Sequence, residues 1–294
     1  MPLKIGTRGS ALALAQADRV ISLLEDEGVE SKRVIITTHG DTTMGVPLHE
    51  IGGQGVFVRA LDDAILEGRI DAAVHSMKDI PAKRPAGLAT CGILPRDSPA
   101  DFLVHAQPFQ KIKRIGTSST RRKAQLLMHH PDWRIEPLRG NVDTRIRKLR
   151  EGAYDAVVLA EAGLQRLGLC LPGTRLAPEM YVPSPNQGTI AVVSREGDDA
   201  ALLAGLLDHP ETRRDVTFER VVMEEVGGGC FTPQGVYCRE RHIRAEILSL
   251  DGCRRVRSEG YLSSADDARK FGQLLRRDAL DLIQEAYMRL GLKE

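Results

Sequence analysis

The hydrophobic pattern predicts alternating strands and helices along most of the chain. Residues 1–6 read as the start of a strand rather than a signal peptide. The next apolar positions recur with the period of one helix face: Leu14, Ala17, Ile21 and Leu24. Strand-to-helix units of this kind predict an α/β fold.

Two segments occur twice in the same order. Residues 4–10 (Lys-Ile-Gly-Thr-Arg-Gly-Ser) resemble residues 114–119 (Arg-Ile-Gly-Thr-Ser-Ser), and residues 67–74 resemble residues 151–158. In the second pair, a helix ends at a glycine before a buried strand. Short matches arise by chance, but two pairs in the same order favour an internal duplication. We therefore expect two similar lobes that face each other across a cleft at the carboxyl ends of their strands.

The first lobe is longer between its two repeated segments than the second. Its surplus includes residues 42–57, with glycines at positions 45, 52, 53 and 55. This composition predicts a mobile loop that covers the cleft.

The last part of the chain has a different pattern, which predicts a small α+β domain. Residues 213–226 are helical in pattern, residues 243–247 alternate as in a strand, and Asp251-Gly252 marks a hairpin turn. Ser264 resembles a helix start, and three apolar residues are expected on one face of a single final helix: Phe271, Leu275 and Leu282. We predict three domains: 1–94 with 188–207, 95–187, and 208–294.

Composition excludes several classes of protein. The 294 residues are 42% hydrophobic and 28% charged, as in an ordinary globular protein. No apolar run approaches the roughly 18 residues that span a bilayer. The five cysteines are odd in number and form no CxxC pair, so we expect no disulfide framework, no zinc site and a cytoplasmic location. His129 and His130 lack a third ligand, so no metal is expected.

Positive charge is concentrated in residues 111–150. This segment has twelve Lys or Arg residues and three acids, whereas the net charge of the whole chain is only +1. Within it, residues 116–122 (Gly-Thr-Ser-Ser-Thr-Arg-Arg) predict a strand that turns into a helix N-terminus, which favours an anion. Two arginines in that first turn oppose the helix dipole, so a ligand with several negative charges is the simpler explanation. Nucleic acid is not expected, because aromatic residues are only 4% of the chain.

Three further segments could carry chemistry, and each has a structural alternative. Asp79, beside Lys78 at the end of a predicted strand, is either a general base or cation stabiliser, or an exposed loop residue. Arg139 and Arg145 flank a Gly-Asn turn and suit a carboxylate or phosphate, or belong to a solvated helix start. Cys230 follows three glycines, so it is either an accessible thiol or a buried structural cysteine.

Together, these segments resemble the porphobilinogen deaminase family from Lys4 to the final helix. The motifs stand in the family's order: 6–10 (GTRGS), 40–41 (GD), 52–57 (GGQGVF), 74–79 (VHSMKD), 116–122 (GTSSTRR), 138–141 (LRGN) and 228–230 (GGC). The resemblance implies two lobes like those of bilobal periplasmic binding proteins, with a third domain that holds the cofactor. It also implies that four porphobilinogen molecules are joined into linear hydroxymethylbilane, with release of ammonia, in tetrapyrrole and heme biosynthesis.

The resemblance also implies roles for individual residues. Asp79 is the expected catalytic residue, and Cys230 is expected to carry a dipyrromethane cofactor through a thioether. The other expected cofactor-binding residues are Lys78, Ser119, Arg121, Arg122 and Arg145. The expected substrate-binding residues are Arg8, Ser10, Arg139 and Arg166. The division of arginines between cofactor and substrate stays open.

The chain departs from the family's pattern at three positions. Gln54 replaces a common lysine, Thr120 a common leucine, and Asn186 a glycine of the hinge segment. None removes an expected carboxylate-binding or catalytic position. We expect a monomer that acts on porphobilinogen, with no nucleic-acid or membrane partner. The alternative is a non-catalytic bilobal protein that binds carboxylates or other anions, which would give no role to Cys230 or Asp79.

Overall fold

The computed structural model describes residues 1–37, 56–81, 84–227 and 229–291. The predicted loop over residues 42–57, with Gln54, therefore lies outside the described residues, except that a helix begins at Val56. The chain divides into two compact units, Met1–Asp97 with Gly188–Arg213, and Ser98–Gln187 with Arg214–Glu294. The boundaries of the three predicted domains stay a prediction.

The described residues alternate between strands and helices, as the hydrophobic pattern predicts. The strands are β1 (Leu3–Thr7), β2 (Ser31–Ile35), β3 (Ala72–Ser76), β4 (Leu88–Ile93), β5 (Asp101–Val104), β6 (Arg114–Gly116), β7 (Arg134–Glu136), β8 (Ala156–Ala160), β9 (Gly173–Leu176), β10 (Ile190–Arg195), β11 (Gln234–Arg239), β12 (His242–Leu248) and β13 (Arg255–Tyr261). The helices are α1 (Ala11–Asp26), α2 (Val56–Leu66), α3 (Thr120–His129), α4 (Val142–Arg150), α5 (Glu161–Arg166), α6 (Asp199–Gly205), α7 (Pro210–Val226), α8 (Ala265–Asp278) and α9 (Leu280–Leu290). Single turns of 3₁₀ helix lie at Met77–Asp79, Phe109–Lys111 and Gly229–Phe231.

Two lobes share one sheet topology. The strand order is β2-β1-β3-β10-β4 in the first lobe and β7-β6-β8-β5-β9 in the second. In both sheets the fourth strand in this order runs antiparallel to the other four, which are parallel to one another. The α/β fold and the similarity of the two lobes are therefore confirmed.

The repeated segments perform the same structural task in each lobe. Gly68 and Gly152 end their helices with φ values of 73° and 75°, a conformation that glycine adopts without steric cost. Three residues later, the carboxylates of Asp71 and Asp155 accept backbone N–H groups of β1 and β6 at 2.8 and 2.7 Å. These carboxylates fix the strand that follows each helix against the strand that ends at the predicted ligand site.

A small sheet domain follows the lobes, and its predicted strand and hairpin turn are confirmed. Its sheet has the antiparallel order β11-β12-β13, and α7, α8 and α9 contribute to its apolar core. The single final helix was wrong, because the chain breaks at Ala279 into α8 and α9. Ala279 has a φ of −112° and is fully buried, so the break lets both helices turn apolar residues toward one core.

The departure at Asn186 has a structural explanation. Asn186 has a φ of 63°, in the left-handed region that asparagine tolerates better than most residues other than glycine. Its backbone N–H donates to the buried carboxylate of Glu219 at 2.6 Å. Asparagine can therefore occupy this turn without a change in the path of the backbone.

The hairpin turn between β12 and β13 packs against the backbone of α3. A Cβ at Gly252 would lie 2.4 Å from the carbonyl oxygen of Ala124, and Gly252 has a φ of 74°. We expect Gly252→Ala to lower the free energy of unfolding by more than about 2 kcal/mol, since it combines backbone strain with a steric clash.

Gly152→Ala is the matched control, because Gly152 has a φ of 75° and nothing within 4 Å of its added Cβ. We expect it to cost about 1 kcal/mol from backbone conformation alone. Urea unfolding of both variants measures the difference. Equal losses would contradict close packing of the hairpin turn on α3.

Candidate functional site

In the first lobe, the predicted residues gather at the carboxyl ends of two parallel strands. Arg8 follows β1, and Ser10 caps α1 by accepting the N–H of Ala13 at 3.4 Å. The side chain of Gln16 in α1 donates to Ser76 at the end of β3 at 2.8 Å. Because β1 and β3 are parallel neighbours, Arg8 and the segment after Ser76 lie at one edge of the sheet.

The turn after β3 carries Lys78 and Asp79. Met77 and Ile80 are buried on either side of these residues, and the N–H of Ile80 donates to the Met77 carbonyl at 3.2 Å. With its apolar neighbours anchored, the turn leaves Lys78 half-buried and Asp79 exposed. This exposure is compatible with both readings of Asp79 from the sequence.

His75 is the buried titratable group closest in sequence to this turn, and the sequence reading gave it no role. It is 6% exposed, and its Nε2 has no hydrogen-bond partner among the described residues. Burial, together with the charges of Arg84 and Arg8, lowers the pKa of His75 to about 3. His75 is therefore neutral at physiological pH.

In the second lobe, the predicted helix N-terminus is present. Ser119 caps α3 by accepting the N–H of Arg122 at 3.4 Å. Arg121 and Arg122, which we expected to face a ligand, are only 5% and 7% exposed. They lie in the interior of the second unit rather than on its surface, so they need acceptors there.

Asp101, at the start of β5, is the acceptor that the sequence reading missed. Its Oδ2 accepts from Arg121 at 2.9 Å, and its Oδ1 accepts from Arg122 at 2.7 Å and from Gln187 at 2.9 Å. Burial opposes ionisation, but Arg121 and Arg122 outweigh it and hold the pKa of Asp101 below its usual range. The available signal was an acid directly before the apolar residues 102–104, since a buried charge requires a partner.

The two guanidinium groups are fixed by further contacts. Arg121 donates to the side chain of Gln125 at 2.9 Å and to the carbonyl of Val182 at 3.1 Å. Arg122 donates to the carbonyl of Val158 at 3.1 Å. With the bonds to Asp101, each guanidinium has three hydrogen bonds from its five N–H groups. The other two N–H groups of each arginine have no acceptor among the residues that the structure describes.

The predicted Gly-Asn turn lies beside this arginine pair. The hydroxyl of Ser118 donates to the carbonyl of Leu138 at 3.0 Å, directly before Arg139, whose side chain is exposed. Arg145 donates to the carbonyl of Gly140 at 2.8 Å. Burial and the charge of Arg122 lower the pKa of Arg145 to about 10. Cations therefore lie close together here, as expected for a site that receives anions.

Cys230 lies in the 3₁₀ turn Gly229–Phe231, just before β11. A Cβ at Gly235 in β11 would be 2.5 Å from the Val182 carbonyl that accepts from Arg121. The next residue of β11, Val236, donates its N–H to the carbonyl of Pro183 at 2.9 Å. Residues 182–183 therefore connect the strand after the cysteine turn to the arginine pair.

The structure thus forms two groups from the predicted residues. The first unit holds Arg8, Ser10, Lys78 and Asp79, and the second holds Ser119, Arg121, Arg122, Arg139, Arg145, Arg166 and Cys230. Arg166 is the last residue of α5. His130 stacks on Trp133 with ring centroids 4.0 Å apart, and the residues described contain no group of three potential metal ligands.

Comparison with known proteins gives the family. The family model for the "dipyromethane cofactor binding domain" of porphobilinogen deaminase matches residues 3–203, and the model for its C-terminal domain matches residues 214–281. The chain belongs to the porphobilinogen deaminase family. It is 46% identical over 303 residues to a probable porphobilinogen deaminase of Methanosarcina mazei, an alignment that covers 98% of this chain and 96% of the relative.

A bacterial member of the deaminase family has a similar degree of likeness. The porphobilinogen deaminase of Syntrophus aciditrophicus is 41% identical, with 95% of each chain covered. Among solved structures, the periplasmic molybdate-binding protein of Azotobacter vinelandii has a TM-score of 0.41 and 14% identity, covering 74% of this chain and 97% of that chain. The family resemblance seen in the sequence is confirmed. Within the described residues, no helix is both long and apolar enough to cross a membrane.

The burial of neutral His75 predicts a specific loss of stability in acid. Because the folded-state pKa is about 3, the unfolded chain alone binds this proton as the pH falls below about 6.5. The His75 contribution is therefore fully present above that pH. It falls by about 1.4 kcal/mol per pH unit between about pH 6.5 and pH 3, where the folded state also begins to bind the proton.

His75→Leu removes this titration and imitates the second lobe, where Leu159 occupies the corresponding strand position. Urea unfolding at pH 6 and pH 5 should show the larger loss in the wild type. His242→Leu, at an exposed position, is the control and should follow the wild type. Identical losses in the wild type and His75→Leu would show that His75 is not buried in its neutral form.

Proposed function

We propose that this chain is a transferase that condenses four porphobilinogen molecules head to tail into linear hydroxymethylbilane, releasing ammonia at each addition and taking the product's hydroxyl group from one water molecule. One observation carries the proposal. In the second unit, the buried Arg121 and Arg122 both donate to one acid, Asp101. Residues 182–183 contact both Arg121 and the strand after Cys230. A cysteine turn followed by a strand that contacts the arginine-binding segment suits a covalently held ligand that has several carboxylates.

The residues present fit a dipyrromethane group. Each pyrrole derived from porphobilinogen has one acetate and one propionate, so two linked rings have four carboxylates. Arg121 and Arg122 keep two N–H donors each, and Arg145 lies within their electrostatic reach. Arginine's planar fork binds carboxylates in a defined orientation and compensates their desolvation.

In this proposal, Cys230 holds the cofactor through a thioether. Ser119, Arg121, Arg122 and Arg145 bind its carboxylates, with Lys78 as a further contact. When bound, the dipyrromethane supplies the free α-carbon to which the first porphobilinogen is added. The residues of this chain bind and orient the carboxylates, so that each new ring arrives at one fixed reaction point.

The remaining predicted residues bind the incoming porphobilinogen. Arg8 and Ser10 lie at the sheet edge that also holds the turn with Asp79. Arg139 and Arg166 are the candidates from the second unit. This division places a carboxylate-binding group beside the proposed catalytic residue.

Asp79 stabilises the cation formed from the substrate. The C–N bond of porphobilinogen breaks, ammonia leaves, and the remaining methylene-pyrrole is positively charged. A new C–C bond forms at the free α-carbon of the terminal ring, which then loses its proton. The carboxylate of Asp79 offsets the positive charge at the pyrrole N–H groups and helps to move that proton.

We also propose the remaining expectations from the sequence. The chain works as a monomer in the cytoplasm, with porphobilinogen as its small-molecule substrate and no nucleic-acid partner. Its three domains are residues 1–94 with 188–207, residues 95–187, and residues 208–294. The composition of the chain and its motif order support these statements.

Intact-protein mass spectrometry tests the cofactor assignment. The wild type purified from a tetrapyrrole-making host should have a mass excess equal to two linked pyrroles, and Cys230→Ser should lack it. Cys170→Ser and Cys253→Ser are matched controls at exposed positions and should keep the excess. An unmodified, folded wild type would instead favour the non-catalytic anion-binding alternative.

Asp79→Asn tests the catalytic assignment. The substitution removes the charge but keeps the shape, so we expect turnover to fall by about 100-fold or more while the cofactor mass excess stays. Asp63→Asn, at another exposed position of the first unit, should leave turnover unchanged. A wild-type rate in Asp79→Asn would exclude Asp79 from the mechanism.

A further inference from the structure

The arginine pair has an internal partner that a ligand-binding role alone would not require. Asp101 is 1% exposed and contacts both guanidinium groups through its two oxygens. Gln187 fixes the carboxylate, because its amide donates both to Asp101 at 2.9 Å and to the Pro99 carbonyl at 2.8 Å. Asp101 is therefore held in place independently of the two arginines.

Two adjacent cations inside a protein are unfavourable without a counter-charge. Burial lowers the pKa of Arg121, and the neighbouring Arg122 lowers it further, whereas Asp101 and, more weakly, Glu246 act in the opposite direction. One carboxylate against two guanidinium groups leaves this trio with a net charge of +1. A net positive charge favours the binding of anions. When no anion is bound, the Asp101 carboxylate lowers the electrostatic energy of the two buried guanidinium groups.

We propose that Asp101 is a resident counter-ion and a positioning residue for the carboxylate site. It keeps Arg121 and Arg122 buried and oriented before the cofactor's carboxylates arrive. This inference rests on the proposed function, since it takes dipyrromethane carboxylates as the anions that later share the arginines. Bound carboxylates add their own compensation, so the chain depends on Asp101 more strongly without cofactor than with it.

The hydrogen bonds make this sharing feasible. Each arginine uses three N–H groups within the second unit, and two on each guanidinium have no acceptor in the part of the chain that the structure describes. A cofactor carboxylate can thus be added without displacing Asp101. The internal partners keep the guanidinium planes fixed, which preserves the remaining donors in one orientation.

A purely structural ion cluster would behave differently from a resident counter-ion. Loss of a structural contact would destabilise the cofactor-free and cofactor-loaded proteins equally. Loss of a counter-ion that the ligand partly replaces would destabilise the cofactor-free protein more. The difference in melting temperature between the two forms therefore separates the two roles.

The experiment uses the full chain in both forms. Cofactor-free protein is made in a host that cannot synthesise porphobilinogen, loaded protein in a tetrapyrrole-making host, and mass spectrometry verifies each form. We expect Asp101→Asn to widen the gap in melting temperature between loaded and cofactor-free protein by about 5 °C or more relative to the wild type. Equal losses in both forms would overturn the inference.

Asp215→Asn is the matched control. Asp215 is also a buried acid of the second unit, but it pairs with a single, partly exposed arginine, Arg214, at 2.9 Å. Its other partners are the backbone N–H groups of Glu240 and Arg241 at 2.7 and 3.2 Å. We expect it to lower both melting temperatures and leave the gap unchanged. A gap that widens as much as in Asp101→Asn would also overturn the inference, because any buried acid would then have the same effect.

A second variant keeps the test decisive if Asp101→Asn does not fold. Gln187→Met removes one hydrogen bond from Asp101 and one from the Pro99 carbonyl but keeps all three charges of the cluster, so a smaller widening in the same direction is expected. No widening would count against the counter-ion role. Failure of the proposed function is recognised separately, because the wild type would then lack the cofactor mass excess in every host.

Discussion

The organisation of the second lobe depends on one buried carboxylate. Asp101 allows Arg121 and Arg122 to lie inside the protein, although both stand in the first turn of a helix whose dipole disfavours cations. Through Gln187 and Val182, the same cluster contacts the chain segment that leads out of the second unit. A change at Asp101 would therefore disturb the helix, the strand β5 and that segment together.

The two lobes share one sheet topology but have their charged residues at different places in it. Asp101 pairs with Ala160 in the second sheet, and Ile190 pairs with Ser76 in the first, so the two pairs occupy corresponding places. The second lobe has its charge at this buried strand position. The first lobe has the apolar Ile190 at that position. Its charged residues, the half-buried Lys78 and the exposed Asp79, lie in the turn after Ser76. The two lobes thus share a sheet topology but place their charged groups at different points of it.

Sequence reasoning succeeded where the signal is local and failed where it depends on contacts between distant residues. The repeated glycines and the helix-capping Ser119 follow from neighbouring residues, and the structure agrees with them. Asp101 lies some twenty residues from its arginines, and no spacing rule connects a strand start to the next helix. The break at Ala279 was missed for a related reason, since the core that both helices share decides it.

Arg121 and Arg122 stand in the first turn of α3, where the helix dipole disfavours positive charge, and the internal partners of the pair offset that charge only in part. Asp101 supplies one negative charge for two cations, and the nearby Arg145 adds a third with a lowered pKa. Natural sequences keep such unfavourable arrangements mainly where function requires them. The Asp101 carboxylate and the proposed cofactor carboxylates would then both offset the positive charge of the buried guanidinium groups. In this proposal, Asp101 offsets part of the positive charge before the cofactor binds, and the cofactor's carboxylates then add negative charge beside the arginines.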